Sequence, residues 1–148
     1  MSLNTASEVI SFVKKLEEDG AKFYKDMAQQ YTEVRETFLP FAEENQKNIV
    51  QIERAYYGVI SDAIEGCFSF NINSEEYTLT TQPAENASYS GALNQALETE
   101  KQIIKFYSDA AEQSKSLLAD VPRVFVMIVK KRNSRMQKLE LLLGEEGA

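Results

Sequence analysis

Six polar side chains interrupt the apolar faces of otherwise amphipathic segments. Glu17 has Val13, Gly20 and Tyr24 along its own face, and Glu100 is ringed by Ala96, Leu97, Ile103, Ile104 and Tyr107. Asn45 and Asn48 fall between Phe41 and the pair Ile49 and Ile52; Arg132 and Arg135 fall between Ile128 and the pair Met136 and Leu139. The spacing of three and four residues directs each of them inward if these segments are helical. A buried carboxylate without a partner is too costly to persist. Glu17 and Glu100 therefore need partners, and the inward cations available to them are Arg132 and Arg135. A guanidinium fork matches a carboxylate and occupies several lone pairs at once. Tyr24 and Tyr107 each lie two helical turns beyond their glutamate, where they either donate hydroxyls to the same cluster or serve as core-edge aromatics.

The residue types that are missing narrow the chemistry further. The chain has no histidine, which removes Ser-His-Asp and Cys-His catalysis, His-ligated zinc or haem, and histidine pH switching. A single cysteine, Cys67, excludes an intrachain disulfide and an all-cysteine metal site. No cation or helix N-terminus adjoins Cys67 in the sequence to lower its pKa, so a structural cysteine is expected rather than a redox thiol. The net charge of −7 and pI near 4.7 disfavour nucleic-acid binding. The longest apolar run, Val124 to Val129, is far shorter than a membrane span, and the first residues carry no signal-peptide pattern. Together with the lone cysteine this predicts a cytoplasmic protein.

The elements that must position these residues read as four helices. A length of 148 residues fits one domain. Helical periodicity predicts helices over about 5–31, 37–64, 90–114 and 121–143, joined across a connection of about 65–89. Thr5 or Ser7 caps the first helix, Pro40 belongs in the first turn of the second, and Gly66 closes it. Asp120 is the expected N-cap of the fourth helix, Pro122 lies in its first turn, and Gly144 is its expected stop. Within the connection, Phe68, Phe70 and Ile72 alternate with polar residues, as do Tyr77, Leu79 and Thr81, so a short hairpin or plain extended chain is expected there, with Pro83 at its end. Short joins make helices 1 and 2 antiparallel, and likewise 3 and 4. The result is an all-α four-helix bundle with one crossover.

The two halves also repeat. Glu17 to Ala28 and Glu100 to Ala111 share the pattern E-x-x-x-x-K-F-Y-x-D-x-A. In the other helix pair, Phe38 falls opposite Phe125, Ile52 opposite Leu139 and Glu53 opposite Glu140. A duplicated helical hairpin accounts for both.

On these residues the chain resembles the ferritin-like superfamily, and within it the rubrerythrin-type domains. The segment Phe41-Ala-Glu-Glu-Asn-Gln-Lys-Asn-Ile49 is similar to that family's second metal-binding helix. The resemblance implies a ferritin-like four-helix bundle. In such domains helices 1 and 3 each give one glutamate to a di-iron centre, and helices 2 and 4 each give Glu-x-x-His. Glu17 and Glu100 match the two single glutamates. The Glu-x-x-His positions hold Asn45 and Asn48 on helix 2, and Arg132 and Arg135 on helix 4. Four of the six ligand positions are changed, so the expectation is a degenerate site with no metal and no cofactor. Two glutamates and two arginines sum to zero, as do four carboxylates with two divalent cations, so an internal salt-bridge cluster is expected in its place. This reading makes the chain a non-catalytic scaffold or interaction protein. Family precedent implies a homodimer, and the pairs Phe68/Phe70 and Tyr56/Tyr57 are candidate contacts for a second copy or another protein. The alternatives are a single metal ion held by Glu17 and Glu100 with iron- or redox-related activity, and an anionic ligand held by Arg132 and Arg135.

Overall fold

In the computed structural model, the described residues are 2–32, 35–59, 68–77, 88–114 and 120–147. They form a short strand β1 (Ser2–Thr5), helices α1 (Ala6–Gln30) and α2 (Arg35–Val59), a strand β2 (Phe68–Asn73), and helices α3 (Tyr89–Ser114) and α4 (Asp120–Gly147). A single 3₁₀ turn, Ser74–Glu76, follows β2. The architecture is an all-α helical bundle with a small two-stranded ribbon.

The start of α1 is fixed by a capping box. The Glu8 amide donates to Thr5 Oγ1 at 3.2 Å, and the Glu8 carboxylate accepts from the Thr5 amide at 3.0 Å and the Asn4 amide at 3.1 Å. Those backbone hydrogen bonds lower the Glu8 pKa.

Two apolar clusters fill the bundle, one toward each end. One contains Leu3, Val9, Val13, Ile52, Ile103, Phe106, Phe125 and Ile128. The other contains Phe23, Met27, Phe38, Phe41, Leu93, Leu97 and Leu139. Their order along the chain gives the direction of every helix. α1 runs from the first cluster to the second, α2 and α3 run from the second to the first, and α4 runs back. The connection between α2 and α3 therefore passes from one end of the bundle to the other, as a crossover must.

The ribbon closes the end nearest the first cluster. β1 pairs antiparallel with β2 in the register Ser2↔Asn73, Leu3↔Ile72 and Thr5↔Phe68, with an irregularity between Leu3 and Thr5. Leu3, Phe70 and Ile72 turn inward and are buried. The outer edge of β2 is engaged by a side chain: the Asn71 amide donates to Gln113 Oε1 at 2.6 Å, and Gln113 Nε2 donates to the Asn71 carbonyl at 3.4 Å. The strand expected at Phe68–Ile72 is thus present, but its partner is the N-terminus. The expected second arm of a hairpin, beyond Tyr77, lies outside the described residues, as do Gly66, Cys67 and Pro83.

Three helix boundaries differ from expectation. α2 begins at Arg35, so Pro40 lies beyond its first turn. Pro40 and Glu36 are both exposed, and water can hydrogen-bond the Glu36 carbonyl that the proline ring leaves without an amide donor. α4 continues through Gly144 to Gly147. A helical glycine costs only about 1 kcal/mol relative to alanine, and Leu142 and Leu143 pack on the second cluster immediately before it. Asp120 is the first residue of α4 rather than its cap. None of the described helices is long and apolar enough to cross a membrane.

Candidate functional site

All six candidate positions lie in one polar layer between the two apolar clusters. Glu17, Asn45, Asn48, Glu100, Arg132 and Arg135 are each at most 1% exposed. Each of the four helices contributes to the layer at the point where its apolar stripe was interrupted in the sequence.

Arg132 bridges the two carboxylates. Its Nη1 donates to Glu100 Oε2 at 2.7 Å and its Nη2 to Glu17 Oε1 at 2.8 Å. Arg135 donates from Nη1 to Glu100 Oε1 at 3.2 Å and from Nη2 to the Phe41 carbonyl at 3.0 Å and to Asn45 Oδ1. Its Nε donates to Glu44 Oε1 at 2.9 Å. The guanidinium of Arg135 also lies against the Phe41 and Tyr24 rings, 5.1 and 5.5 Å from their centroids.

The tyrosines join the cluster in a crossed arrangement. The Tyr24 hydroxyl on α1 donates to Glu100 Oε1 on α3 at 2.7 Å, while the Tyr107 hydroxyl on α3 donates to Glu17 Oε1 on α1 at 2.8 Å. One hydroxyl enters the layer from each cluster, because α1 and α3 run in opposite directions. Each tyrosine thus serves the glutamate of the other repeat.

The asparagines contribute more weakly. Asn48 Nδ2 lies 3.4 and 3.5 Å from the two Glu17 oxygens, and Asn45 Nδ2 lies 3.4 Å from the Glu17 carbonyl. Gly20 makes that approach possible. A Cβ on Gly20 would stand 2.5 Å from Asn45 Nδ2. The matching position in the other repeat is Ile103, so the close approach is confined to the α1–α2 side. Within this layer, Asn48 Oδ1 and Arg132 Nε are buried without a hydrogen-bond partner.

Protonation follows from these contacts. Burial pushes the Glu100 carboxyl up, but Arg132 and Arg135, helped by the Tyr24 hydroxyl, outweigh it and hold the group below its ordinary value. Burial and the neighbouring carboxylates raise both tyrosines: Tyr24 by Glu100, Tyr107 by Glu17. Burial disfavours the charged form of Arg132, yet Glu100 and Glu17 more than restore it. Glu100 and Arg132 are therefore charged at neutral pH, and Tyr24 and Tyr107 are neutral.

Two participants were not visible in the sequence. Glu44, whose side chain is 31% exposed, carries the ion pair to Arg135 at the rim of the layer; its only signal was its place one turn before Asn48. Gly20 appeared as an ordinary member of the α1 stripe. Of the candidate contact aromatics, Phe70 and Tyr56 are buried while Tyr57 is 65% exposed. The Phe68 side chain and Cys67 lie outside the described residues.

The donor set does not suit a di-iron centre. Every oxygen of Glu17 and Glu100 already accepts from a guanidinium, a tyrosine or an amide. Two guanidinium groups lie where further anionic or imidazole ligands would be required. No group of three or more His, Cys, Asp or Glu that could hold a metal ion occurs among the described residues. No family model, curated protein or solved structure matches the chain.

Proposed function

We propose that this chain is a ferritin-like, rubrerythrin-related bundle whose di-iron centre has given way to a Glu–Arg cluster, and that it serves as a non-catalytic scaffold or interaction protein whose partner is a second copy or another protein. The observation that carries this reading is Arg132, which holds both buried carboxylates at once. Those are the two residues that match the single glutamates of the ferritin-like pattern. With a cation already between them, the attraction that would draw iron into the layer is cancelled. The repeat of the E-x-x-x-x-K-F-Y-x-D-x-A phrase and the up-down-down-up order of the helices support the same lineage.

The test is metal addition. Melting temperatures of the wild-type protein with and without ferrous or manganous ion should coincide, because ligand binding to the folded state alone would raise them. A stoichiometric metal-dependent rise that disappears in Glu17→Gln would overturn the proposal in favour of a single-metal site. The lineage has its own test. Asn45→Glu and Arg132→Glu, with Asn48→His and Arg135→His, recreate Glu-x-x-His on α2 and α4. This variant should be less stable than wild type without metal and regain stability with it. A folded variant with no metal response shows that the six positions do not converge as ferritin-like ligands do.

A further inference from the structure

Asn48, Gln51 and Arg132 each carry one polar atom that the packed helices leave unanswered. Among the described residues, Asn48 Oδ1, Gln51 Oε1 and Arg132 Nε are the three buried side-chain polar atoms without a hydrogen-bond partner. Asn48 and Arg132 are at most 1% exposed, and Gln51 is part-buried with its oxygen shut off from solvent. Each such group, left unmet, forfeits free energy comparable to a lost hydrogen bond. Three of them in one neighbourhood call for a common partner.

The register of the helices brings the three together. Glu44 pairs with Arg135 at 2.9 Å, and α2 runs antiparallel to α4. The next turn of α2 therefore sets Asn48 beside Arg132, and the turn after it sets Gln51 beside Ile128. Glu44, Asn48 and Gln51 share one face of α2 at steps of four and three. Asn48 Nδ2 and Arg132 Nη2 approach the same atom, Glu17 Oε1, at 3.4 and 2.8 Å. Long side chains on a helix lean toward its N-terminus. That lean tilts Gln51 toward Asn48, and it carries the Arg132 stem, with Nε, toward the level of Gln51. The three atoms thus meet along the seam between α2 and α4, yet none bonds another. Polar atoms held together beyond direct reach are the usual setting for a bridging molecule.

The chemistry of the three atoms selects that molecule. Two are amide oxygens, which accept; the third is a guanidinium N–H, which donates. Turning the Asn48 amide over would set its oxygen against the Glu17 carboxylate, so the amide orientation is fixed by Glu17. A cation is repelled by Arg132, and an anion by the two amide oxygens and Glu17. The bridging molecule must be small and neutral, donate twice and accept once. We propose that Asn48, Gln51 and Arg132 form a binding site for one internal water molecule, which donates to Asn48 Oδ1 and Gln51 Oε1 and accepts from Arg132 Nε. Buried waters typically make about three such bonds, to groups that otherwise have no partner. With this one, every nitrogen of Arg132 is engaged: Nη1 by Glu100, Nη2 by Glu17 and Nε by the water. The water also extends the polar layer to Gln51 and ties α2 to Arg132, which α2 does not otherwise bond. The site follows from the geometry of the layer and makes no use of the ferritin-like lineage.

Two measurements test it. A crystal structure of the wild-type chain, at a resolution that shows ordered solvent, should place one water within hydrogen-bonding distance of all three atoms. Gln51→Met keeps the length of the side chain and removes its oxygen. The variant should melt about 2–4 °C below wild type, the shift that one lost hydrogen bond gives in a chain of this size. If Gln51 Oε1 has no partner, the same substitution relieves a buried orphan and the melting temperature rises. A variant that melts at or above the wild-type temperature therefore overturns the proposal. So does a crystal structure with no water at this position, with an ion there instead, or with Gln51 bonded directly to Arg132 Nε. Neither measurement involves added metal, so the water site and the scaffold reading can fail separately.

Discussion

The two hairpins meet the polar layer on unequal terms. α3–α4 supplies Glu100 together with both arginines; α1–α2 supplies Glu17 with two neutral amides. Arg135 meets Glu100 at 3.2 Å, whereas at the matching contact Asn48 lies 3.4 and 3.5 Å from Glu17. The crossed tyrosine bonds remain nearly equal, at 2.7 and 2.8 Å. Backbone placement and the longest-reaching contacts are thus shared by the repeats, while the charge that balances the carboxylates comes entirely from α4. Glu17 has no cation within its own hairpin and depends on one from across the bundle. The first hairpin therefore acquires its electrostatic balance only when the second docks, which ties the stability of the layer to the assembly of the whole bundle.

The largest expected effect separates the two arginines. Arg132→Ala removes the one group that touches both carboxylates and leaves Glu17 without any cation. Breaking a buried pair in this way typically costs about 3–5 kcal/mol. Arg135→Ala leaves both carboxylates still bonded to Arg132 and should cost less, roughly 1.5–3 kcal/mol for the lost charge-assisted bonds. Urea denaturation of the two variants gives the order directly. Equal losses would show that the layer responds as one unit and that the asymmetry between Glu17 and Glu100 carries no energetic weight.

The next effect lies on the neutral side. Gly20→Ala places a methyl group 2.5 Å from Asn45 Nδ2, which has no room to retreat without disturbing its bond to Arg135. Overpacking of this kind costs about 1–3 kcal/mol, of which the better helix propensity of alanine returns up to about 1 kcal/mol. Combining it with Asn45→Ala removes the clash. The double variant should then be more stable than the sum of the two single losses requires, a coupling measurable in a double-mutant cycle. Strict additivity would mean that Asn45 does not need the space Gly20 leaves.

Much of this layer was legible beforehand for a simple reason. Glu17, Glu100, Arg132 and Arg135 interrupt apolar stripes, and a charge on a core stripe must find its complement, so residue type and helical period sufficed. What lay beyond them depended on distances between helices. Which glutamate each tyrosine reaches is set by the opposed directions of α1 and α3. Gly20 matters because of how closely Asn45 approaches, and its own helix does not encode that approach. The partner of β2 is the N-terminus, some seventy residues away in the chain, and no local pattern announces such a pairing. The end of α4 was misplaced because a glycine is a weak stop when the residues before it are held by the core.

The smallest effects concern the tyrosines and sharpen the same asymmetry. Tyr107→Phe withdraws a donor from Glu17, which otherwise has Arg132 and a weakly bonded Asn48. Tyr24→Phe withdraws one from Glu100, which keeps two arginines. Each should cost roughly 1–2 kcal/mol, with Tyr107→Phe the greater loss. Titration adds a signature. Both tyrosines are raised above 10.0 in the folded state. Their contribution is fully present below the unfolded value and is lost as pH rises beyond it, since the unfolded chain gives up its protons first. Glu100 is lowered from 4.5, so its contribution is present above that value and declines as pH falls below it, where the unfolded chain binds protons first. Stability against pH should therefore be flat through neutrality, with an acid limb to which Glu100 and Glu8 contribute and an alkaline limb to which Tyr24 and Tyr107 contribute alongside Tyr77, Lys14 and Lys15. Tyr24→Phe and Tyr107→Phe together should shrink the alkaline limb while leaving an acid one. If the alkaline limb is unchanged in the double variant, the hydroxyls are not held by the carboxylates as described, and the near-equality of the two crossed bonds is not what unites the repeats.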